Sequence, residues 1–209
     1  SFDATNATGV ITITGADAAS IINGGSAADT LNGRTVAGGD TISGGAGDDT
    51  ISTGVMTGTT LTTITGGTGA DGIALNGVAT GNRVVTLNAT AAESFATTGA
   101  FDTVTYANHT DTTTTTTTLV TGVTSSTLVG ASAVTLGTTT IAAGGFLAVG
   151  STNATLTTTN QSFQIYQDSD SNGIIDATDL RVDFGVTATD TQAISLVGSQ
   201  LVSVLTGVA

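Results

Sequence analysis

The chain has 209 residues and a formal net charge of −13, with three arginines and no lysine, cysteine, proline or tryptophan. That acidity excludes nucleic acid and anionic membrane surfaces as partners, because no basic patch is available to neutralise phosphate. The missing cysteines exclude disulfides as the staple of a secreted fold and leave metal as the available substitute, and no apolar run is long enough to span a bilayer.

From the N-terminus the sequence repeats. Ile13, Ile22, Leu31, Ile42, Ile51, Ile64 and Ile73 follow one another at spacings of 9, 9, 11, 9, 13 and 9. The longer steps read as loop insertions around residues 33–37 and 54–60, which a solenoid extrudes on one side. Two residues before each aliphatic position stand Ile11, Ser20, Asp29, Asp40, Asp49, Thr62 and Asp71. Two copies are complete: Gly44-Gly45-Ala46-Gly47-Asp48-Asp49-Thr50-Ile51-Ser52 and Gly66-Gly67-Thr68-Gly69-Ala70-Asp71-Gly72-Ile73-Ala74 fit G-G-x-G-x-D-x-U-x throughout. The glycines permit positive φ and turn carbonyl oxygens inward, the aspartate adds a hard anionic oxygen, and the aliphatic residue enters a thin core. Each unit is half of a calcium site. Without metal, the same pattern would describe a plain β-solenoid or sandwich with glycine turns.

On these motifs residues 1–91 resemble the calcium-binding β-roll of RTX proteins, which bacteria export through type I secretion systems. The resemblance implies two nonapeptides per turn, so that alternate repeats stack. Asp29, Asp49 and Asp71 then form one column, and Asp40 stands in the other between Ser20 and Thr62. The implied calcium ligands are Gly24, Gly25, Asp29, Asp40, Gly44, Gly45, Gly47, Asp49, Gly66, Gly67, Gly69 and Asp71, with the best sites between the 24–29 and 44–49 loops and between the 44–49 and 66–71 loops.

The repeat decays near Val84, Val85 and Leu87, and residues 92–160 form a threonine-rich β region. Residues 99–106 read as one more divergent repeat or as a strand capping the roll, since an open solenoid end leaves unpaired edges. The run Thr112 to Thr118 suits exposed strand faces, and Leu119, Val120, Val123, Leu128, Val129, Val134, Leu136 and Ile141 recur between turns as short strands of a sheet or sandwich would. Asp102 and Asp111 could add ligands but read more simply as solvated loop carboxylates.

Residues 161–209 carry a second calcium signature. Residues 168–179 place oxygen side chains at loop positions 1, 3, 5, 9 and 12 (Asp168, Asp170, Asn172, Asp176 and Asp179), with Gly173 at position 6 and Ile175 at position 8. This is the EF-hand loop pattern with aspartate in place of the final glutamate, and Ile174 would contribute its backbone carbonyl. Period-two alternation on both flanks, from Phe163 to Asp168 and from Leu180 to Val186, predicts strands rather than helices. The loop is thus a static calcium clip and not a sensor. The apolar, hydroxylated tail of residues 193–209 resembles the uncleaved C-terminal secretion signals of RTX substrates and also suits a packed terminal strand. Ser1-Phe2-Asp3 does not open a signal peptide, which fits a mature or truncated product or export by a C-terminal signal.

The fold class expected is all-β: a parallel β-roll, a threonine-rich sheet or sandwich, and a strand-flanked calcium loop. The residues do not suggest an enzyme. His109 is the only histidine and Glu93 the only glutamate, and the chain has no H-E-x-x-H zinc pair, no cysteine nucleophile and no lysine. Low charge outside the motifs, abundant threonine and calcium rolls make the chain similar to the S-layer proteins of Gram-negative bacteria. That resemblance implies a secreted, extracellular, cell-surface location, self-assembly into a homo-oligomeric lattice, export by type I secretion machinery, and Ca2+ as cofactor. A cell-surface polysaccharide would be bound through a region outside this chain. The alternative is the C-terminal calcium-binding and secretion region of an RTX adhesin, protease or lipase.

Overall fold

One inward aliphatic residue per nine, on strands too short to bury more, produces a coil with two thin walls. The computed structural model describes residues 1–16, 18–34, 39–54, 61–76, 82–86, 101–107, 114–120, 127–131, 133–150, 157–159, 163–186, 191–197 and 200–206. The insertions at 35–38 and 55–60, His109, Asp111 and residues 207–209 lie outside them. Ten strands alternate between two sheets: β1 (Phe2–Asp3), β2 (Thr12–Thr14), β3 (Ile21–Asn23), β4 (Thr30–Asn32), β5 (Thr41–Ala46), β6 (Thr50–Ser52), β7 (Thr62–Thr68), β8 (Gly72–Asn76), β9 (Asn82–Thr86) and β10 (Asp102–Ala107). Odd strands pair in parallel in one sheet and even strands in the other, making a parallel β-solenoid of about five turns.

In β4 and β6 only the middle residue is buried. Ile13, Leu31, Ile51, Ile73 and Val104 stack in register along one wall. Ile22, Ile42 and Ile64 stack along the other. All eight belong to one core cluster. Full burial of such a side chain contributes about 1.5–3 kcal/mol, and this row is what holds the two walls together.

Beyond β10 the connectivity changes while the sheets continue. The remaining strands are β11 (Thr114–Val120), β12 (Leu128–Ala131), β13 (Phe146–Val149), β14 (Thr157–Thr159), β15 (Phe163–Gln167), β16 (Leu180–Val186), β17 (Thr191–Val197) and β18 (Gln200–Thr206). The final order is β1-β3-β5-β7-β9-β11-β18-β17-β14 in one sheet and β12-β13-β15-β16-β10-β8-β6-β4-β2 in the other. Residues 102–107 are therefore one more rung of the roll, and β16 covers them, with Val104 opposite Phe184. β11, the threonine strand, is flanked on both sides by β9 and β18. The tail forms the β17–β18 hairpin, and β14 lies beyond it at the edge of this sheet.

Phe146, Phe163 and Phe184 fill the core where the roll ends. A satellite cluster of Leu147, Tyr166 and Ile175 lies on the opposite face of the same strands, so β15 is buried on both faces and not only on its alternate positions. Among the described residues no helix is present, and hence none is long and apolar enough to cross a membrane.

Candidate metal centres

The roll places one aspartate at the same point of successive turns. Because Leu31, Ile51, Ile73 and Val104 are stacked, the residues two positions earlier are stacked as well, and a hydrogen-bond ladder links them. Asp49 Oδ1 accepts the Asp29 N–H at 2.8 Å, Asp71 Oδ1 accepts the Asp49 N–H at 2.9 Å, and Asp102 Oδ1 accepts the Asp71 N–H at 2.8 Å. At the start of the column Asp29 Oδ1 accepts the Ile11 N–H at 2.9 Å. Asp29, Asp49, Asp71 and Asp102 are all buried. For Asp102 this overturns the expectation of a solvated loop carboxylate: it occupies the ligand position of a further rung.

The second carboxylate oxygens distinguish the turns. Asp29 Oδ2 accepts the Gly25 N–H at 2.7 Å. Asp49 Oδ2, Asp71 Oδ2 and Asp102 Oδ2 are buried and have no hydrogen-bond partner. A buried anionic oxygen left in this state carries its full desolvation cost, which a bound cation would offset.

The glycine loops bring further oxygens close to these carboxylates. Gly45 and Gly47 have φ of 115° and 106°, and Gly67 and Gly69 have 126° and 130°, so the two complete motifs share one backbone form that only glycine adopts readily. A Cβ on Gly44 would collide with Asp49 Oδ2 and with the Gly66 carbonyl oxygen, and one on Gly66 would collide with Asp71 Oδ2. Carboxylate and carbonyl oxygens thus converge on the volume vacated by a side chain, an all-oxygen donor set of the kind Ca2+ takes. The 24–29 loop departs from this form: Gly25 is not among the positive-φ glycines, and Ala27 stands at the fourth position. Of the two inter-loop sites expected from the sequence, the one between the 44–49 and 66–71 loops has both the geometry and the orphaned oxygens.

Burial, opposed by the backbone hydrogen bonds and reinforced by neighbouring carboxylates, pushes Asp49 and Asp71 up to about 6 and Asp102 up to about 7, from an ordinary 3.8. Groups raised in the folded state bind protons more readily there than in the unfolded chain. Their contribution to stability is complete below about pH 4 and is lost as pH rises through 6 to 7. Asp3 and Asp176, exposed and lowered by hydrogen bonds to Thr5 and Thr178, act in the opposite sense but only below the ordinary carboxylate range. In chelator the β signal in circular dichroism should therefore rise as pH is lowered from about 7.5 to about 4.5, the reverse of ordinary acid denaturation. A fall over that interval would mean that the column is already satisfied as anions.

On the opposite edge Asp40 is alone. Its Oδ1 accepts the Ser20 N–H at 2.9 Å, and its column neighbours are Ser20 and Thr62, both buried. That edge therefore lacks the stacked negative charge of the first.

The clip loop of residues 168–179 joins β15 to β16, which pair antiparallel from Phe163↔Phe184 to Gln167↔Leu180. Carboxylate oxygens of Asp168, Asp170 and Asp179 lie within 4.8 Å of one another and could hold a metal ion. The loop is tightly braced. Asp168 Oδ2 accepts the N–H groups of Gly173 at 2.8 Å and of Gly144 at 2.9 Å, and Asp179 Oδ1 and Oδ2 accept those of Ser169 and Asp176. Gly173, at φ 80°, makes the sharp turn, and Ser171 shares the left-handed form at φ 60°.

Ile174 bridges Thr140, with flanking hydrogen bonds from Ile141 N–H to the Gly173 oxygen and from Ile175 N–H to the Thr139 oxygen. That pattern turns the polar groups of Ile174 away from Thr140 and toward the loop. Its N–H donates to Asn172 Oδ1 at 2.7 Å. The Asn172 amide nitrogen donates to Asp170 Oδ2 at 2.8 Å and to Asp176 Oδ2 at 3.3 Å, which links both to the edge of the three converging aspartates.

Of two further contributors, the sequence favoured a solvated carboxylate for Asp102 and did not indicate Gly144. Asp102 does carry a signal, because Asp102-Thr103-Val104 repeats the ligand-x-aliphatic spacing. Gly144 carries none, since its N–H reaches Asp168 from 24 residues away through the tertiary fold. The chain matches no protein-family model, no curated protein and no solved structure, so the chemistry of both centres is read from their own residues.

Proposed function

We propose that this chain is a calcium-dependent extracellular structural protein, a self-assembling surface-lattice subunit or the C-terminal part of one. The observation that carries the calcium dependence is the row of buried, unpartnered carboxylate oxygens on Asp49, Asp71 and Asp102, the first two approached closely by the backbone of their glycine loops. Where calcium is scarce, these charges oppose closure of the roll and keep the chain threadable for export. Where calcium is millimolar, ions neutralise the column and the roll closes. When bound, calcium supplies positive charge and coordination. Gly44 to Asp49, Gly66 to Asp71 and the Asp168, Asp170 and Asp179 trio position the oxygens that receive it.

Assembly follows from charge and surface. A net charge of −13 keeps copies apart until cations screen or bridge them, while short strands ending in hydroxyl-bearing residues offer polar contacts. The clip stands at the end of the molecule remote from β1, where β15 and β16 are braced by the 135–145 segment, and calcium there would rigidify a contact surface. Electron microscopy of the purified chain in millimolar calcium should show ordered arrays. Asp168→Asn with Asp170→Asn should abolish them while leaving most of the roll's β signal in circular dichroism. Arrays formed by the double variant as readily as by the parent would confine the clip to a local staple. A parent that stays monomeric in calcium would remove the lattice role and leave the terminal region of a larger exported protein as the reading.

A further inference from the structure

We infer that Asp102 supplies the last carboxylate of the edge column and, with Asp71, holds a divalent cation outside the nonapeptide repeats. This inference rests on the calcium reading of the column and extends it to a residue that no repeat motif contains. Val104 pairs with Ile73 as Ile73 pairs with Ile51, which places Asp102 above Asp71 as Asp71 lies above Asp49. The ladder bond from Asp71 N–H to Asp102 Oδ1 at 2.8 Å spans 31 residues of sequence, against 20 and 22 in the regular turns. The fold thus restores the ligand position after a longer excursion of the chain.

Two observations point to a ligand and not to a chance acidic contact. Asp102 is 0% exposed and Asp71 1%, and the Oδ2 of each is buried without a partner. Nor, among the described residues, does a neighbouring cation answer the charge. Arg181, which lies 3.9 Å over the Phe101 ring, is committed to Asp183 by two hydrogen bonds of 2.8 Å. Carboxylates repeated at the spacing of parallel strands, about 4.8 Å, are separated by roughly twice a calcium–oxygen distance of about 2.4 Å. The column ends there, because the residue opposite Asp102 on β16 is Val182. An ion at this level would fasten the start of β10 to the turn before β8, at the point where the roll passes into the C-terminal strands.

The test is calorimetric titration of Ca2+ into the whole chain and into Asp102→Asn, which keeps an oxygen to accept the Asp71 N–H. The expected result is one ion fewer, or one site at least tenfold weaker, with the other sites unchanged. Unaltered stoichiometry and affinity would overturn the Asp102 site while leaving calcium binding by the roll intact. No uptake by the parent on this edge would overturn the calcium reading itself. Crystals of the parent grown with Tb3+ give an answer that does not depend on how the variant folds. An anomalous peak between Asp71 and Asp102 is expected, and peaks that stop between Asp49 and Asp71 would exclude the site.

Discussion

Removing calcium should unfold the roll: in chelator at pH 7.5, circular dichroism should lose most of its β signal, and restoring millimolar calcium should bring it back. Each ion present at tenfold its dissociation constant stabilises the fold by about 1.4 kcal/mol, and three such ions by about 4 kcal/mol. That is a large part of the roughly 5–15 kcal/mol by which a domain is stable at all. The effect is expected to be this large because the alternative to a bound ion is a row of desolvated carboxylates at one-strand intervals. The core facing them is one aliphatic row from each wall, too thin to absorb the cost. A spectrum and melting temperature indifferent to chelator would sink the calcium reading of the edge column.

Within one repeat, two glycines should answer very differently to a single added methyl. Gly67→Ala forces an L side chain into φ 126° and drives its Cβ into the carbonyl of Gly45 on the turn below. Backbone strain of this kind costs about 1–3 kcal/mol before the collision and the lost ion site are counted. Gly72→Ala, five residues on, meets nothing nearer than 3.8 Å and has no positive φ. It should be neutral or stabilising by about 0.4–1 kcal/mol through the unfolded chain. Calcium titration and thermal melts of the two variants side by side are the measurement. Equal destabilisation would mean that the loops do not stack as described.

The first half of this architecture was open to reading from the sequence because its period is local. One aliphatic residue every nine, with insertions in only two places, identifies strand, turn and inward face together, and the stacking of alternate repeats then brings Asp29, Asp49 and Asp71 into one column and leaves Asp40 in the other. The clip was legible for the same reason, since its loop positions and period-two flanks lie within about 25 consecutive residues. Composition alone likewise removed disulfides from consideration.

What only the tertiary structure decided lies in pairings between residues far apart in the chain. β10 is covered by β16, so that Val104 meets Phe184, and the threonine strand β11 is flanked by β9 and β18. A run of threonines satisfies any neighbour equally well and carries no register. Which strand covers which edge depends on the edges left open once the roll has formed, and no local pattern encodes that. The burial of Asp102, the double-sided packing of β15 around Tyr166 and Ile175, and the Gly144 N–H on Asp168 all follow from it. Each is fixed by a surface brought up from elsewhere in the chain, and burial by a distant surface leaves no periodic trace in the residues it covers.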